Sequence, residues 1–560
     1  MSAIASKQLV QRFCVWLLAV AFLAPLLIGL TGTVAPAAGL VPSLAPGHGF
    51  SAVLNDPRFV GSVLLSLKTG LLSTVLVLLL TALALVSVYN TRLWRWLMAV
   101  LPPLLAIPHA AMAVGLVFLI APSGWLVRLV SPSVTGWARP PVDWVIPDAG
   151  GWTLILGLLL KEMPFLLLAS AAHLSSLNID ASMKIGRTLG YSPARCWSRL
   201  ILPRLFPRIR LTVLVILAFN LSVVDMALLL GPGNPPTFSV MLMTLVSDPD
   251  SRAAASAGAL LLAMGVAVVF SLLLALEWCI GSVARRRRVS GERGHAFSSW
   301  RKSASGLVVF IVLVGLLSLL VLPLWSVAKR WRFPDTLPSS WTSEHWLSRS
   351  DLFFSPMGAT VLFAFATCLL ALMAAVAWLE LERVGKAPKL DWFWYLPLLV
   401  PQVSLLFGWQ MAALLLRADG QWLTVVYAHW IYSLPYVILI LAVSWREFDP
   451  NWHNAAAVLG AGYWRILFRV RIPLLIKPLA MAAAVAVAVS VAQYLPTLLL
   501  GAGRHQTLAI ELVTSYGGVD RRTIATLALL QGLLPLLAFV GALVIPSRLY
   551  QFGPQRSVSE

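Results

Sequence analysis

Charged side chains are scarce in this sequence. Only 11% of its 560 residues are charged, while 59% are hydrophobic. A water-soluble chain of this length needs far more polar surface to cover its core, so a large soluble enzyme gives way to a polytopic membrane protein. Cysteine is also rare. Cys14, Cys196, Cys279 and Cys368 lie far apart, which leaves neither a disulfide framework nor a metal-binding spacing. Acidic residues are few, and the net charge is +20. The basic excess sits in short loops between apolar runs, where it orients a membrane protein, so no nucleic-acid partner is expected. The chain lacks a G-x-x-x-x-G-K-[ST] phosphate loop, an H-E-x-x-H helix and a G-x-S-x-G elbow. It is therefore expected not to be an enzyme, to have no catalytic, metal or cofactor site, and to draw energy from an ATPase in another chain or from an ion gradient.

Apolar runs of about 20 residues, enough to cross a bilayer as a helix, recur about twelve times. In the first half they centre near Ala21, Val77, Ala106, Leu160, Leu217 and Ala267. In the second they centre near Val314, Leu370, Leu405, Val437, Val487 and Leu533. No alternating lipid-facing pattern appears, so the expected fold is all-α, with about 12 transmembrane helices in two tandem six-helix halves. Lys7 and Arg12 precede the run Cys14–Leu30, and Ala35-Pro36-Ala37 follows it. The run is long for a secretory signal and has a counterpart opening the second half, so it reads as a retained span.

Lys and Arg set the orientation. One loop carries Arg285, Arg286, Arg287, Arg288, Arg293, Arg301 and Lys302; another carries Lys184, Arg187, Arg195, Arg199, Arg204 and Arg208. Both fall on the cytoplasmic side if the N-terminus does, and an even span count returns the C-terminus there. Lys329, Arg330 and Arg332 run against this rule. The Arg run at 285–288 reads as a topological anchor and as the seam between halves 1–290 and 291–560.

The loops at about 178–208 and 448–478 repeat one pattern at an offset of 270. Lys184-Ile-Gly186-Arg-Thr-Leu189-Gly190 is followed, after nine residues, by Leu200-Ile-Leu-Pro203. Asn454-Ala455-Ala456-Ala-Val-Leu459-Gly460 is followed, after nine residues, by Val470-Arg-Ile-Pro473. The same offset pairs Arg195 with Arg465, Arg199 with Arg469, Gly231 with Gly501 and Thr237 with Thr507. Two parallel copies of one module are the simplest explanation. Asp180 and Asp449 are expected to cap a short helix, with Pro450 in its first turn. Gly190 and Gly460 stand where a helix ends in a left-handed residue. Ser192-Pro193 starts a second helix with Arg195 and Arg199 on one face, and Pro203 and Pro473 are expected to end it.

A Gly, nine residues and an aliphatic stretch ending in Pro resemble the EAA loop of binding-protein-dependent ABC permeases. Two copies in one chain look like the fused permeases of the ferric-iron and thiamine type. The resemblance spans roughly residues 60–280 and 355–546, with a specific motif of about twenty residues in each. It implies that each loop is a coupling helix docking on a cytoplasmic ATP-binding subunit, of which two copies are needed. It also implies a periplasmic solute-binding protein, a site in the cell inner membrane, and translocation of a small solute by alternating access. The motif positions that take over this role are Lys184, Gly186, Leu189, Gly190, Arg195, Arg199 and Pro203, and Asn454, Ala455, Ala456, Leu459, Gly460, Arg465, Arg469 and Pro473. Asn454-Ala455-Ala456 is close to the family's Glu-Ala-Ala; Lys184-Ile185-Gly186 departs from it, so the two loops are expected to dock unequally. The alternative is a twelve-span secondary transporter driven by an ion gradient. Its commonest family has a charged G-x-x-x-D-R-type loop where this chain has Asn90-Thr-Arg-Leu-Trp-Arg95.

A charge at mid-bilayer costs about 2.5–3.5 kcal/mol on insertion scales, so each asks for a partner or a purpose. Lys68, Lys161, Glu162 and Asp225 fall inside spans and could neutralise one another. Alternatively, His109, Glu162, Asp225, Gln402 and Gln493 line the solute pathway, which would then suit a cationic or polyhydroxy solute. Pro108, Pro164, Pro401 and Pro435 read as helix kinks, and the tryptophans mostly as interface anchors.

Overall fold

A backbone amide in hydrocarbon has no water to bond, so each apolar run closes its hydrogen bonds internally as a helix. The computed structural model describes residues 2–40, 49–288, 299–518 and 520–549. Among these residues the only sheet is a small antiparallel hairpin, Ala328–Arg330 with Ser340–Trp341. The hairpin follows helix Ser299–Ser326 directly, so Lys329, Arg330 and Arg332 stay beside the end of a span and still run against the orientation rule. The fold is all-α and polytopic.

Nine helices among the described residues are long and apolar enough to cross a membrane, and up to eleven if each of two bent pairs is one span. The sequence predicts twelve. The run centred on Leu217 is the helix Leu202–Ser222, which opens with Arg204, Arg208 and Arg210 and is not among the nine. The run centred on Ala106 is interrupted: helix Arg92–Ala106 stops at Ile107-Pro108, and the span is His109–Val130. The second half bends in the same manner at Val400-Pro401, where Asp391–Leu399 meets Gln402–Leu415 at 83°. Proline lacks the N–H that would continue the helix and pushes the preceding residue out of the α region. Ile107 and Val400 are accordingly extended, with ψ of 131° and 133°. The other bend, 77° between Tyr463–Leu474 and Ile476–Ala492, sits just after Pro473.

Elements recur at the sequence offset. Helices begin at Pro193 and Tyr463, at Asp225 and Leu495, and at Phe238 and Leu508. A π-helical turn occupies Trp197–Ile201 in one place and Leu467–Arg471 in the other. Hydroxyls repeat as well. Ser66 Oγ accepts from the Phe238 amide at 2.8 Å, and Thr360 Oγ1 accepts from the Leu508 amide at 2.9 Å.

The two stretches cross over one another. Helix Ser2–Ala37 packs on Gln402–Leu415, and helix Ser299–Ser326 packs on His109–Ile120. Both crossings depend on a missing side chain. A Cβ on Gly408 would lie 1.7 Å from the Gly29 carbonyl oxygen, and one on Gly115 would lie 2.1 Å from that of Ser318. Small residues let membrane helices approach until backbone touches backbone. Thr33 Oγ1 then donates to the Ser404 carbonyl at 2.6 Å, and Ser404 Oγ to that of Ala259 at 2.7 Å. Two apolar cores result. One joins Leu101, Met112 and Leu158 to Val308 and Val321; the other joins Phe22 and Leu217 to Phe363, Leu406 and Val437.

Candidate functional site

The repeated loops fold into matching elbows. Helix Ile179–Thr188 runs through Leu189 to Gly190 at φ +81°, and helix Pro450–Val458 runs through Leu459 to Gly460 at φ +80°. A left-handed residue costs a side-chain-bearing amino acid roughly 1–2 kcal/mol, which glycine avoids. The amides of Gly190 and Tyr191 return to the carbonyls of Arg187 and Gly186; those of Gly460 and Ala461 return to Ala457 and Ala456. This is the double bond pattern of a Schellman ending. It turns the chain sharply into the second short helix, and the π turn continues that helix into the membrane.

Several local expectations need revision. Asp449 caps its helix, accepting from the Asn451 amide at 2.9 Å, with Pro450 in the first turn. Asp180 does not cap; its helix starts at Ile179 after a left-handed Asn178, and Asp180 sits in the first turn. Ser192 caps as expected, accepting from the Arg195 amide at 3.4 Å. Pro203 does not end the second helix; the chain runs on from Pro193–Cys196 through the π turn Trp197–Ile201 into Leu202–Ser222. Pro473 stands two residues before the bend at Leu475.

The tips of both elbows face outward. Ile185 and Leu189 are 59% and 55% exposed, and Val458 and Leu459 are 88% and 86% exposed. Lys184, Asn454, Ala455, Arg465 and Arg469 are exposed beside them, while Arg195, Arg199 and Ala456 are half-buried. Large apolar side chains clustered at a tip mark a surface made to be covered. Glycine at 186 has a steric reason: a Cβ there would lie 2.4 Å from Cys196 Sγ. Burial pushes the Cys196 thiol up, so it behaves as an apolar filler. Arg199 lies 5.9 Å from the Tyr191 ring centroid.

Four polar groups gather deep between the helices, but not as mutual neutralisers alone. Lys68 lies apart from them: its Nζ donates to the Gly150 carbonyl at 2.7 Å and sits 4.6 Å from the Trp152 ring. Lys161 Nζ donates to the Leu105 carbonyl at 2.7 Å and to that of Ile107, so it closes the carbonyl end of the helix broken at Pro108. His109 Nε2 is 3.3 Å from Glu162 Oε1, and its ring lies 4.5 Å from Phe219. Asp225 opens the helix after the break at Val223-Val224, within electrostatic reach of His109 and Lys161. Gln402 opens its helix as His109 does, and buried Gln493 ends the helix that breaks before Tyr494.

Sequence reasoning missed two polar sets. Buried His429 bridges Ser490 at 2.8 Å and Thr497 at 2.9 Å across the second helix break. Glu380, Glu382, Arg383, Arg446 and Arg471 form an ion network behind the second elbow. The signal for the network was present: Glu380, Glu382 and Arg383 end one apolar run, and Arg446 ends another. The Arg285–Arg288 seam ends the helix Arg252–Arg288, and Arg293 lies outside the described residues.

Comparison with known proteins fits this geometry. The chain is 33% identical over 533 residues, 94% of each chain, to the inner membrane ABC transporter permease protein YnjC of Escherichia coli (strain K12). This chain belongs to the ABC transporter permease family. Residues 388–551 of the permease match the binding-protein-dependent transport system inner membrane component family, a stretch that includes the second elbow with its closer loop sequence. It is also 26% identical over 232 residues to PhnV of Salmonella typhimurium (strain LT2), a putative 2-aminoethylphosphonate transport system permease protein; that match covers 40% of the permease and 86% of PhnV. No solved structure matches. The chain is thus a membrane-embedded permease subunit of an ABC importer, a transporter component and not an enzyme, and the secondary-transporter alternative is not favoured. Membership of this family implies ATP-binding and solute-binding partners.

Proposed function

We propose that the Gly190 and Gly460 elbows are two coupling surfaces, one per half, that receive the stroke of two cytoplasmic ATP-binding subunits. The observation behind this is the elbow itself, built twice 270 residues apart with the same Schellman bonds and exposed apolar tips. The halves are residues 1–290 and 291–560; with Leu202–Ser222 crossing beside the eleven other spans the count is even, the termini lie on the cytoplasmic side of the inner membrane, and a periplasmic binding protein delivers the solute. Each elbow leads through a π turn into a helix that reaches a polar break: Val223-Val224 beside Asp225, or Gln493-Tyr494. At 1.5 Å per residue the 21-residue helix Leu202–Ser222 is a lever of about 30 Å. Closure of the ATPases would move both levers and change access to the polar groups between them.

The test is purification of the permease with its native neighbours. An ATPase is expected to co-purify with the wild type and to be lost from the Gly190→Asp, Gly460→Asp double variant. Retention at wild-type stoichiometry would sink the assignment of the elbows.

His109, Glu162, Asp225, Gln402 and Gln493 are the proposed solute pathway. Glu162→Gln and Asp225→Asn are expected to reduce uptake about tenfold or more, the scale of one lost charge-assisted hydrogen bond. Unchanged uptake in both variants at equal membrane abundance would remove these carboxylates from the pathway.

A further inference from the structure

The two elbows are alike in backbone but not in their anchoring. Behind the second, three carboxylates meet three guanidiniums: Glu380, Glu382 and Asp391 with Arg383, Arg446 and Arg471. Glu380 is the hub. Its Oε2 accepts from Arg383 Nη2 at 3.0 Å and from the Tyr463 hydroxyl at 3.0 Å. Its Oε1 accepts from Trp445 Nε1 at 3.1 Å and from Arg471 Nη1. Arg446 holds Glu382 through two bonds of 2.7 and 3.0 Å, and Asp391 through two more of 2.7 and 3.0 Å. Glu380 and Arg471 are 4% and 2% exposed.

These residues belong to four separate pieces of chain. Glu380, Glu382 and Arg383 end the helix Ser350–Arg383, and Trp445 and Arg446 end Trp422–Arg446. Asp391 starts the segment leading to the Val400-Pro401 break. Tyr463 is the first residue of the elbow's second helix, and Arg471 closes its π turn. The positions 270 residues before Tyr463 and Arg471 are Pro193 and Ile201, which have no group to pair. The corresponding first-half helix, Phe59–Val88, carries no charge after Lys68 and ends beside Tyr89, whose ring packs on Trp197 at 5.3 Å.

We propose that Glu380 is a positioning residue for coupling: its network welds the second elbow to the cytoplasmic ends of two spans, so that elbow and spans move as one body. The first elbow is tied differently, through exposed bonds from Arg204 to Ser182 and from Arg208 to Ser176 and through ring and apolar contacts. The proposal rests on the reading of the elbows as ATPase-contact surfaces. Charge-assisted bonds of fixed geometry resist sliding, whereas ring contacts have no directional lock of that strength. Loss of Glu380 would leave Arg471 buried without its carboxylate, and the elbow would yield locally under the stroke.

The experiment compares wild type, Glu380→Gln and Glu380→Asp in proteoliposomes containing the co-purified ATPase and binding protein. Three quantities are read: ATPase retained, ATP hydrolysed and solute moved per ATP. Glu380→Gln is expected to retain the ATPase and to lower solute moved per ATP about tenfold, with partial recovery in Glu380→Asp. An unchanged solute-to-ATP ratio in Glu380→Gln overturns the proposal. Should Glu380→Gln fail to accumulate, Tyr463→Phe, which removes the elbow's hydroxyl bond to Glu380, is read for the same ratio, and no change there overturns it equally. Failure of the elbow reading looks different: the ATPase would remain bound to the Gly190→Asp, Gly460→Asp variant, whatever the ratio in Glu380→Gln.

Discussion

Gly408→Leu is expected to abolish accumulation of the folded permease in the membrane. A Cβ at this position would lie 1.7 Å from the Gly29 carbonyl oxygen and 2.8 Å from the Thr33 amide nitrogen. Neither obstacle is a flexible side-chain end, so helices Ser2–Ala37 and Gln402–Leu415 would have to separate. Separation would also strand Thr33 Oγ1, which bonds the Ser404 carbonyl, and Trp409 Nε1, which donates to the Pro25 carbonyl. Membrane helices associate through packing and hydrogen bonds rather than the hydrophobic effect, and overpacking alone costs about 1–3 kcal/mol or more. Gly358→Leu is the control, because nothing lies within 4 Å of a Cβ there. Membrane abundance and gel-filtration behaviour in mild detergent decide the matter. A well-folded Gly408→Leu protein would mean that this crossing does not hold the fold together.

Lys161→Met is expected to destabilise the permease strongly without altering the elbow surfaces. The ammonium is buried, 4% exposed, and donates to the Leu105 and Ile107 carbonyls on either side of Ala106. Pro108 has no amide hydrogen, so the break it forces leaves carbonyls without helical donors. Methionine fills a similar volume and donates nothing, and each orphaned buried group costs about 1–3 kcal/mol. A clear drop in the thermal unfolding midpoint of the detergent-solubilised protein is the expected result. A midpoint equal to wild type would show that water, and not Lys161, satisfies those carbonyls.

Much of this architecture was legible beforehand, because its causes are local. A run of about 20 apolar residues is a helix wherever it lies in a bilayer. Gly190 and Gly460 announce a left-handed turn, and both adopt it. Legibility ended where a residue's role depended on what arrived beside it. Lys68 and Lys161 look equivalent in sequence, yet one binds a loop carbonyl at Gly150 and the other a helix end. Asp180 and Asp449 occupy similar loop positions, but only Asp449 has a chain geometry that lets its carboxylate reach back to an amide two residues on. The nine plain spans fall short of the expected twelve for a related reason: Leu202–Ser222 opens with three arginines, and bends at Val400-Pro401 and Leu475 split two more apolar runs.

By itself the sequence determined the medium, the helical class, the two elbows and their spacing, since composition, periodicity and turn chemistry act over a few residues. The tertiary structure alone decided that helix Ser2–Ala37 packs on Gln402–Leu415 and helix Ser299–Ser326 on His109–Ile120. Thr33 and Ser404 meet across 371 residues, and no local pattern encodes such a meeting. It also decided which charges were partners. In a low-dielectric interior a charge is stable only where donors or acceptors converge on it. For Glu380 these are Arg383, Tyr463, Trp445 and Arg471, brought together from three separate segments by packing.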